Sequence, residues 1–131
     1  MRGILTKLLG DRGERAAARF LRRQGMKILE RQSRNNFGEI DLVARDGECI
    51  VFVEVKTRSS TLAGQPFDAI THEKQKKLTQ LALVWLKRKK LLNSSARFDV
   101  VSVVWPEDQK EPTIHHYPNA FEAVGRGQMF A

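Results

Sequence analysis

The amino-acid sequence predicts an α/β domain in which a central mixed β-sheet of about five strands is flanked by helices, in the order α-β-β-β-α-β-β. Three observations carry this. Asp11 to Gln24 and Thr71 to Lys90 repeat apolar residues at helical spacing. Between them lie three strand-like runs, the last two joined by Asp46-Gly47, a strong signal for a two-residue hairpin. After the second helix come two further strand-like runs separated by Pro106.

Taken in order, the first helix puts Ala17, Phe20 and Leu21 on one side and is closed by Gly25. Lys27 to Ser33 reads as a strand, and Asn35, Asn36 and Gly38 mark the turn after it. Gly38 to Arg45 alternates, with Ile40, Leu42 and Ala44 on one side and Glu39, Asp41 and Val43 on the other. Cys49 to Val55 is a β-branched run expected to be well buried, with Cys49 on the core face. Thr57 to Gln65 is small and polar and reads as a mobile loop. The second helix carries Leu78, Leu81, Ala82, Trp85 and Leu86 inward. Arg97 to Trp105 is the fourth strand, and Thr113 to Tyr117 returns along it as an edge strand. Residues 1–131 read as one domain, with 1–9 and 119–131 as loosely held ends.

The bulk composition limits the function. The 131 residues are 41% hydrophobic, enough for one core and too apolar for a disordered chain. Lys and Arg outnumber Asp and Glu by 23 to 15, a formal charge of +8, which favours polyanionic partners. A single cysteine, Cys49, excludes an intrachain disulfide and a zinc site of paired thiolates. No apolar run reaches the roughly 20 residues that span a bilayer, and the Met1–Gly10 segment is too interrupted for a secretory signal. A cytoplasmic protein with no membrane partner is expected.

The chemistry concentrates in the second and third strands. With Asp46-Gly47 as the turn, Val43 faces Ile50, Asp41 faces Phe52, Glu39 faces Glu54 and Phe37 faces Lys56. Glu39, Asp41, Glu54 and Lys56 then share one face, with Glu54 as the hub, opposite Ile40, Leu42, Cys49, Val51, Val53 and Val55. Opposed glutamates repel, and Asp41 adds a third charge. A hard divalent cation, Mg2+ or Mn2+, would remove the conflict, because such ions take carboxylate oxygens. Asp41 and Glu54 fit as ligands, with the Val55 carbonyl in reach. Lys56 suits orientation or deprotonation of a water, or stabilisation of charge developing on a phosphate. The plainer alternative, an ion pair on a solvated face, is opposed by Val43, Ile50 and Phe52 on that same face, which something must cover.

Gly38-Glu39-Ile40-Asp41-Leu42-Val43 followed by Glu54-Val55-Lys56-Thr57-Arg58 resembles the PD-(D/E)xK nuclease motif, with Ile40-Asp41 in place of Pro-Asp. More closely, the chain is similar to the YraN family of small bacterial proteins from Gly10 to about Leu86. That match includes Gly13-Glu14 with Ala17, Gly64-x-Pro66, and Lys74 ahead of Leu78; Pro118-Asn119-Ala120-Phe121 also looks familial. The resemblance implies a restriction-endonuclease-like fold, close to archaeal Holliday-junction resolvases, and metal-dependent hydrolysis of phosphodiesters. It implies Asp41 and Glu54 as metal ligands and Lys56 as the catalytic lysine, with Glu14 as an additional acidic residue near the metal. Expected substrates are branched, flap or single-stranded DNA, and a homodimer would supply the two sites that a junction requires. The alternative is a nucleic-acid-binding module that keeps the fold and cuts little or not at all.

Two readings of Glu14 stand: a site residue, or a first-turn glutamate favoured by the helix dipole. Lys74 faces inward at its helix start, either reaching phosphate beside Lys56 or snorkelling. Lys77 and its neighbours on the second helix, and Arg15 and Arg19 among Arg12–Arg23 on the first, form basic faces suited to phosphates. Arg58 lies just past the site, where it could contact the scissile strand. His115 and His116 point to opposite faces of a strand and read as structural. Trp105 and Tyr117 suit base stacking or, more simply, edge packing.

Overall fold

The computed structural model describes residues 2–59, 70–106 and 110–125. Its elements are α1 (Arg2–Arg23), β1 (Lys27–Asn35), β2 (Gly38–Asp46), β3 (Cys49–Arg58), α2 (His72–Arg88), β4 (Ala96–Val104) and β5 (Thr113–Phe121). The five strands form one sheet in sequence order. All neighbours are antiparallel except β3 and β4, which run parallel, with α2 between them in the chain. The expected mixed α/β architecture and element order are therefore the observed ones.

Both sheet faces are covered. On one, Ala16, Ala17, Ala18 and Leu21 of α1 pack on Leu42, Ala44, Val51, Val53, Val101 and Val103. Three successive alanines let the helix lie close to the sheet. On the other, Leu78, Leu81, Ala82, Trp85 and Leu86 of α2 pack on Ile40, Val43, Ile50, Phe52 and Phe98. This second layer covers the apolar residues that share a face with the acidic ones. Trp85 is core, its Nε1 donating to Glu30 Oε1 at 3.1 Å.

Local chemistry explains the ends. Gly25 takes φ +96°, and the Met26 N–H closes on the Leu21 carbonyl at 3.0 Å, a glycine-terminated helix C-cap. Thr71 caps α2, accepting from the Lys74 N–H at 3.1 Å. α1 starts nine residues before the expected Asp11. Asp11 is mid-helix, and its carboxylate accepts from Gln32 Nε2 at 3.1 Å. β3 runs through Thr57 and Arg58, which had read as loop; residues 60–69, including Gly64 and Pro66, lie outside the described residues. β5 extends past Tyr117 to Phe121.

Candidate active site

The β2–β3 hairpin turns one residue later than its sequence suggests. Asp46 pairs with Cys49, so Gly47-Glu48 is the turn and Gly47 supplies the positive φ, +61°. Asp46 is held at the strand end by Arg97 of β4, at 3.0 Å. Each partner consequently moves by two. Val43 faces Phe52, not Ile50, and the same register carried one step past its last pair brings Asp41, not Glu39, level with Glu54. A shift of two preserves the face, so the acidic residues still converge, but Asp41 replaces Glu54 as the hub.

The paired ladder stops at Leu42 and Val53. Beyond it the Val55 N–H donates to Asp41 Oδ2 at 2.8 Å, so the Asp41 side chain sits between the strands. The alternation of β2 breaks there. Ile40 joins the α2 cluster, whereas Leu42 joins the α1 cluster, contrary to their expected common face. Glu54 is 8% exposed and turns toward α2, with Lys74 Nζ 3.4 Å from its Oε2.

α1 brings Glu14 to the same place. A Cβ on Gly13 would lie 1.9 Å from Thr57 Oγ1, so only glycine allows this approach of helix to strand. Glu14, 9% exposed, then offers a carboxylate oxygen that lies within 4.8 Å of ligand atoms of Glu39 and Asp41. Because α1 begins at Arg2, Glu14 falls in about its fourth turn, too far along for the helix-dipole reading. Leu9, Gly10, Glu14, Asp41, Val55, Lys56 and Thr57 line one open pocket. Lys56 thus shares the pocket with Asp41 and Glu14.

The electrostatics are strained. Burial first, then a proton shared with Glu54 and the charge of Glu54, push the Asp41 carboxyl up to about 9, against the pull of the Val55 N–H. Burial also raises Glu14, opposed by a hydrogen bond from Gln32 and reinforced by Glu39 and Asp11. Glu39 is partly neutralised by Arg34 Nε at 3.0 Å. Glu14 Oε1 and Glu54 Oε2 are buried without a hydrogen-bond partner. Lys74 is within ion-pair reach of the latter but does not satisfy it.

The other expected contact residues separate. Lys74 is committed to Glu54. Lys77 runs past Gly38, where a Cβ would meet its Cε at 3.2 Å. Arg58 ends β3, its carbonyl accepting from the Trp105 N–H at 2.9 Å. Arg15 and Arg19 are exposed on a different side of α1, beside Trp105, Lys110 and Pro112. His115 and His116 do diverge. His116 Nε2 meets Asp99 Oδ2 at 2.7 Å and its ring abuts Phe20, whereas His115 lies near Tyr117.

Two residues escaped the sequence reading. Thr57 looked like the start of a loop, and only its contact with Gly13 places it in the pocket. Asp99, fully buried in β4, joins His116, Arg97 and the Asn119 N–H. A lone aspartate inside a β-branched run was the available signal, since such a charge must be partnered.

A family model described as uncharacterised protein family UPF0102 matches residues 13–103. A UPF0102 protein of Rhodopirellula baltica is 51% identical over 120 residues, covering 89% of this chain and 72% of its own. One of Trichlorobacter lovleyi is 49% identical over 115 residues (87% and 90% covered). One of Geobacter metallireducens is 50% identical over 116 residues (88% and 93%).

Proposed function

The chain belongs to the UPF0102 family, to which its YraN resemblance pointed, and we propose that it is a divalent-metal-dependent endonuclease of the PD-(D/E)xK kind, acting on branched, flap or single-stranded DNA. One observation carries the reading: Asp41 of β2 lies with Glu14 of α1 and Glu39 and shares a proton with Glu54 of β3, Lys56 lines the same pocket as Asp41 and Glu14, and Glu14 and Glu54 each bury an oxygen without a hydrogen-bond partner. A structural sheet gains nothing from this, because each unpartnered buried oxygen costs about 1–3 kcal/mol.

The donor set fits Mg2+ or Mn2+, which bind carboxylate and carbonyl oxygens. Asp41 and Glu54 would hold the ion, with the Val55 carbonyl as a third donor and Glu14 or Glu39 completing the acidic shell. Such an ion supplies Lewis-acid polarisation of a phosphoryl oxygen and acidifies water. The remaining roles belong to the chain. The Val55 N–H fixes the rotamer of Asp41. The Lys56 ammonium would bind the scissile phosphate and stabilise the charge that develops on it. Lys74 balances the charge of Glu54 at 3.4 Å and would be free to meet phosphate where a cation took its place. No helix of the described residues is long and apolar enough to cross a membrane, and the charge of +8 suits a nucleic-acid partner.

The test is incubation of the purified protein with flap, four-way, single-stranded and duplex DNA in Mg2+ or Mn2+. Cleavage by wild type and none by Glu54→Gln or Lys56→Met is expected. Binding without cleavage in either metal would overturn the enzyme in favour of the binding module.

A further inference from the structure

Resting on the nuclease reading, we propose that the groove between α1 and the start of β5 is the track for a single nucleic-acid strand leading from the candidate active site. Arg12, Arg15, Arg19 and Arg23 follow one another along one stripe of α1. At helical geometry they fall within an arc of about 80° and span about 16 Å. The facing wall carries Trp105 and Lys110, and Phe20, Pro112 and Ile114 form an apolar floor. Five cations thus border the groove, against one carboxylate, Glu111, among its described lining residues.

The wall is built rather than incidental. The Arg12 guanidinium lies 4.5 Å from the centre of the Trp105 ring. Stacking fixes its plane and leaves the in-plane N–H donors for a phosphate. Trp105 is itself fixed, its backbone N–H donating to Arg58 and its Nε1 to the Lys110 carbonyl at 3.3 Å. The groove lies one strand from the site, on the other side of the contact between Gly13 and Thr57. Val104, the residue before Trp105, pairs with Arg58, so Trp105 stands one strand from Lys56 and Thr57. Gly13, between Arg12 and Glu14, touches Thr57.

A row of cations above an apolar floor suits one strand, with phosphates on the arginines and bases or sugars on the floor. A duplex presents phosphates but hides its base faces. Lys87 and Lys90, exposed at the C-terminal end of α2, lie on the other layer and are the natural control.

The test is fluorescence anisotropy of the full chain with a labelled strand of about 20 nucleotides and the matching duplex, in EDTA over a salt series. Each phosphate contact on a single strand contributes about 0.7 to the slope of log affinity against log salt. Arg15→Glu with Arg19→Glu should lower that slope by about 1.4 and weaken strand binding at least about tenfold at moderate salt. Both residues are exposed, so the thermal transition should not move. Lys87→Glu with Lys90→Glu should leave the strand slope much nearer to wild type. Unchanged strand binding in the arginine variant, a larger loss in the lysine variant, or tighter wild-type binding of duplex would each overturn the proposal. The two readings separate through Glu54→Gln. If wild type and Glu54→Gln both bind the strand through the arginines but wild type never cleaves, the nuclease reading fails and the groove stands. If wild type cleaves and the arginine variant binds and cleaves equally, the groove fails alone.

Discussion

Replacing Gly13 by alanine tests the contact that brings α1 to the site. The added methyl would lie 1.9 Å from Thr57 Oγ1 and 2.8 Å from its Cβ and Cγ2. Ordinary carbon contacts are about 3.5–4.0 Å, so helix and strand must separate locally by more than about 1 Å. Overpacking of this kind costs about 1–3 kcal/mol. Alanine also returns about 0.5–1 kcal/mol of helix propensity. Gly10, on the same helix, separates the two effects, because nothing lies within 4 Å of its would-be Cβ. Gly10→Ala should therefore stabilise by about 0.5–1 kcal/mol, and Gly13→Ala should destabilise by about 1–2 kcal/mol. Urea unfolding with an unchanged slope reads both. Thr57→Ala removes Oγ1 and Cγ2 but leaves Cβ, so in the Gly13→Ala background it should recover part of the loss, a coupling visible in the double-mutant cycle. Equal stabilisation by the two alanines would refute the close approach, and with it the placement of Glu14.

Three further outcomes are expected. Burial and Glu54 raise the Asp41 carboxyl in the folded chain, so its contribution to stability is complete below about 4 and is lost as pH rises toward about 9, at up to about 1.4 kcal/mol per unit. Without metal, Asp41→Asn should therefore gain on wild type between pH 5 and pH 8, and a constant difference in urea unfolding would contradict the shared proton. Burial alone would raise Asp99, but His116, Arg97 and the Asn119 N–H hold it below the ordinary carboxylate range, so its contribution is present at neutral pH and fades only as pH falls below about 4. Asp99→Ala should cost about 3 kcal/mol at pH 7, with a smaller difference in acid; a loss independent of pH would mean that the charge is not what matters. Finally, Mn2+ at about 100 times its dissociation constant should add about 2.7 kcal/mol to wild-type stability. Thermal shifts should show this in wild type and not in Glu54→Gln or Asp41→Asn, and a shift retained by both variants would place the ion elsewhere.

The sequence by itself determined the element order, the two amphipathic helices and the stop at Gly25, because each rests on local periodicity or on one residue's backbone preference. It also determined that Asp41, Glu54 and Lys56 lie at the same end of the β2–β3 hairpin, since a register error of two residues moves partners along the strands without separating them. Only the tertiary structure decided which carboxylate stands at the centre. At the hairpin end Asp46 is paired with Arg97 of β4, and the alternation of β2 breaks where the Asp41 side chain takes the Val55 N–H. Tertiary packing likewise took Glu14 away from the helix-dipole explanation, through nine further helical residues before Asp11 and the Gly13–Thr57 approach. It gave Lys74 to Glu54 and Asp99 to partners 17 and 20 residues away in the chain. Such pairings depend on which strands become neighbours, which no local pattern in the sequence records.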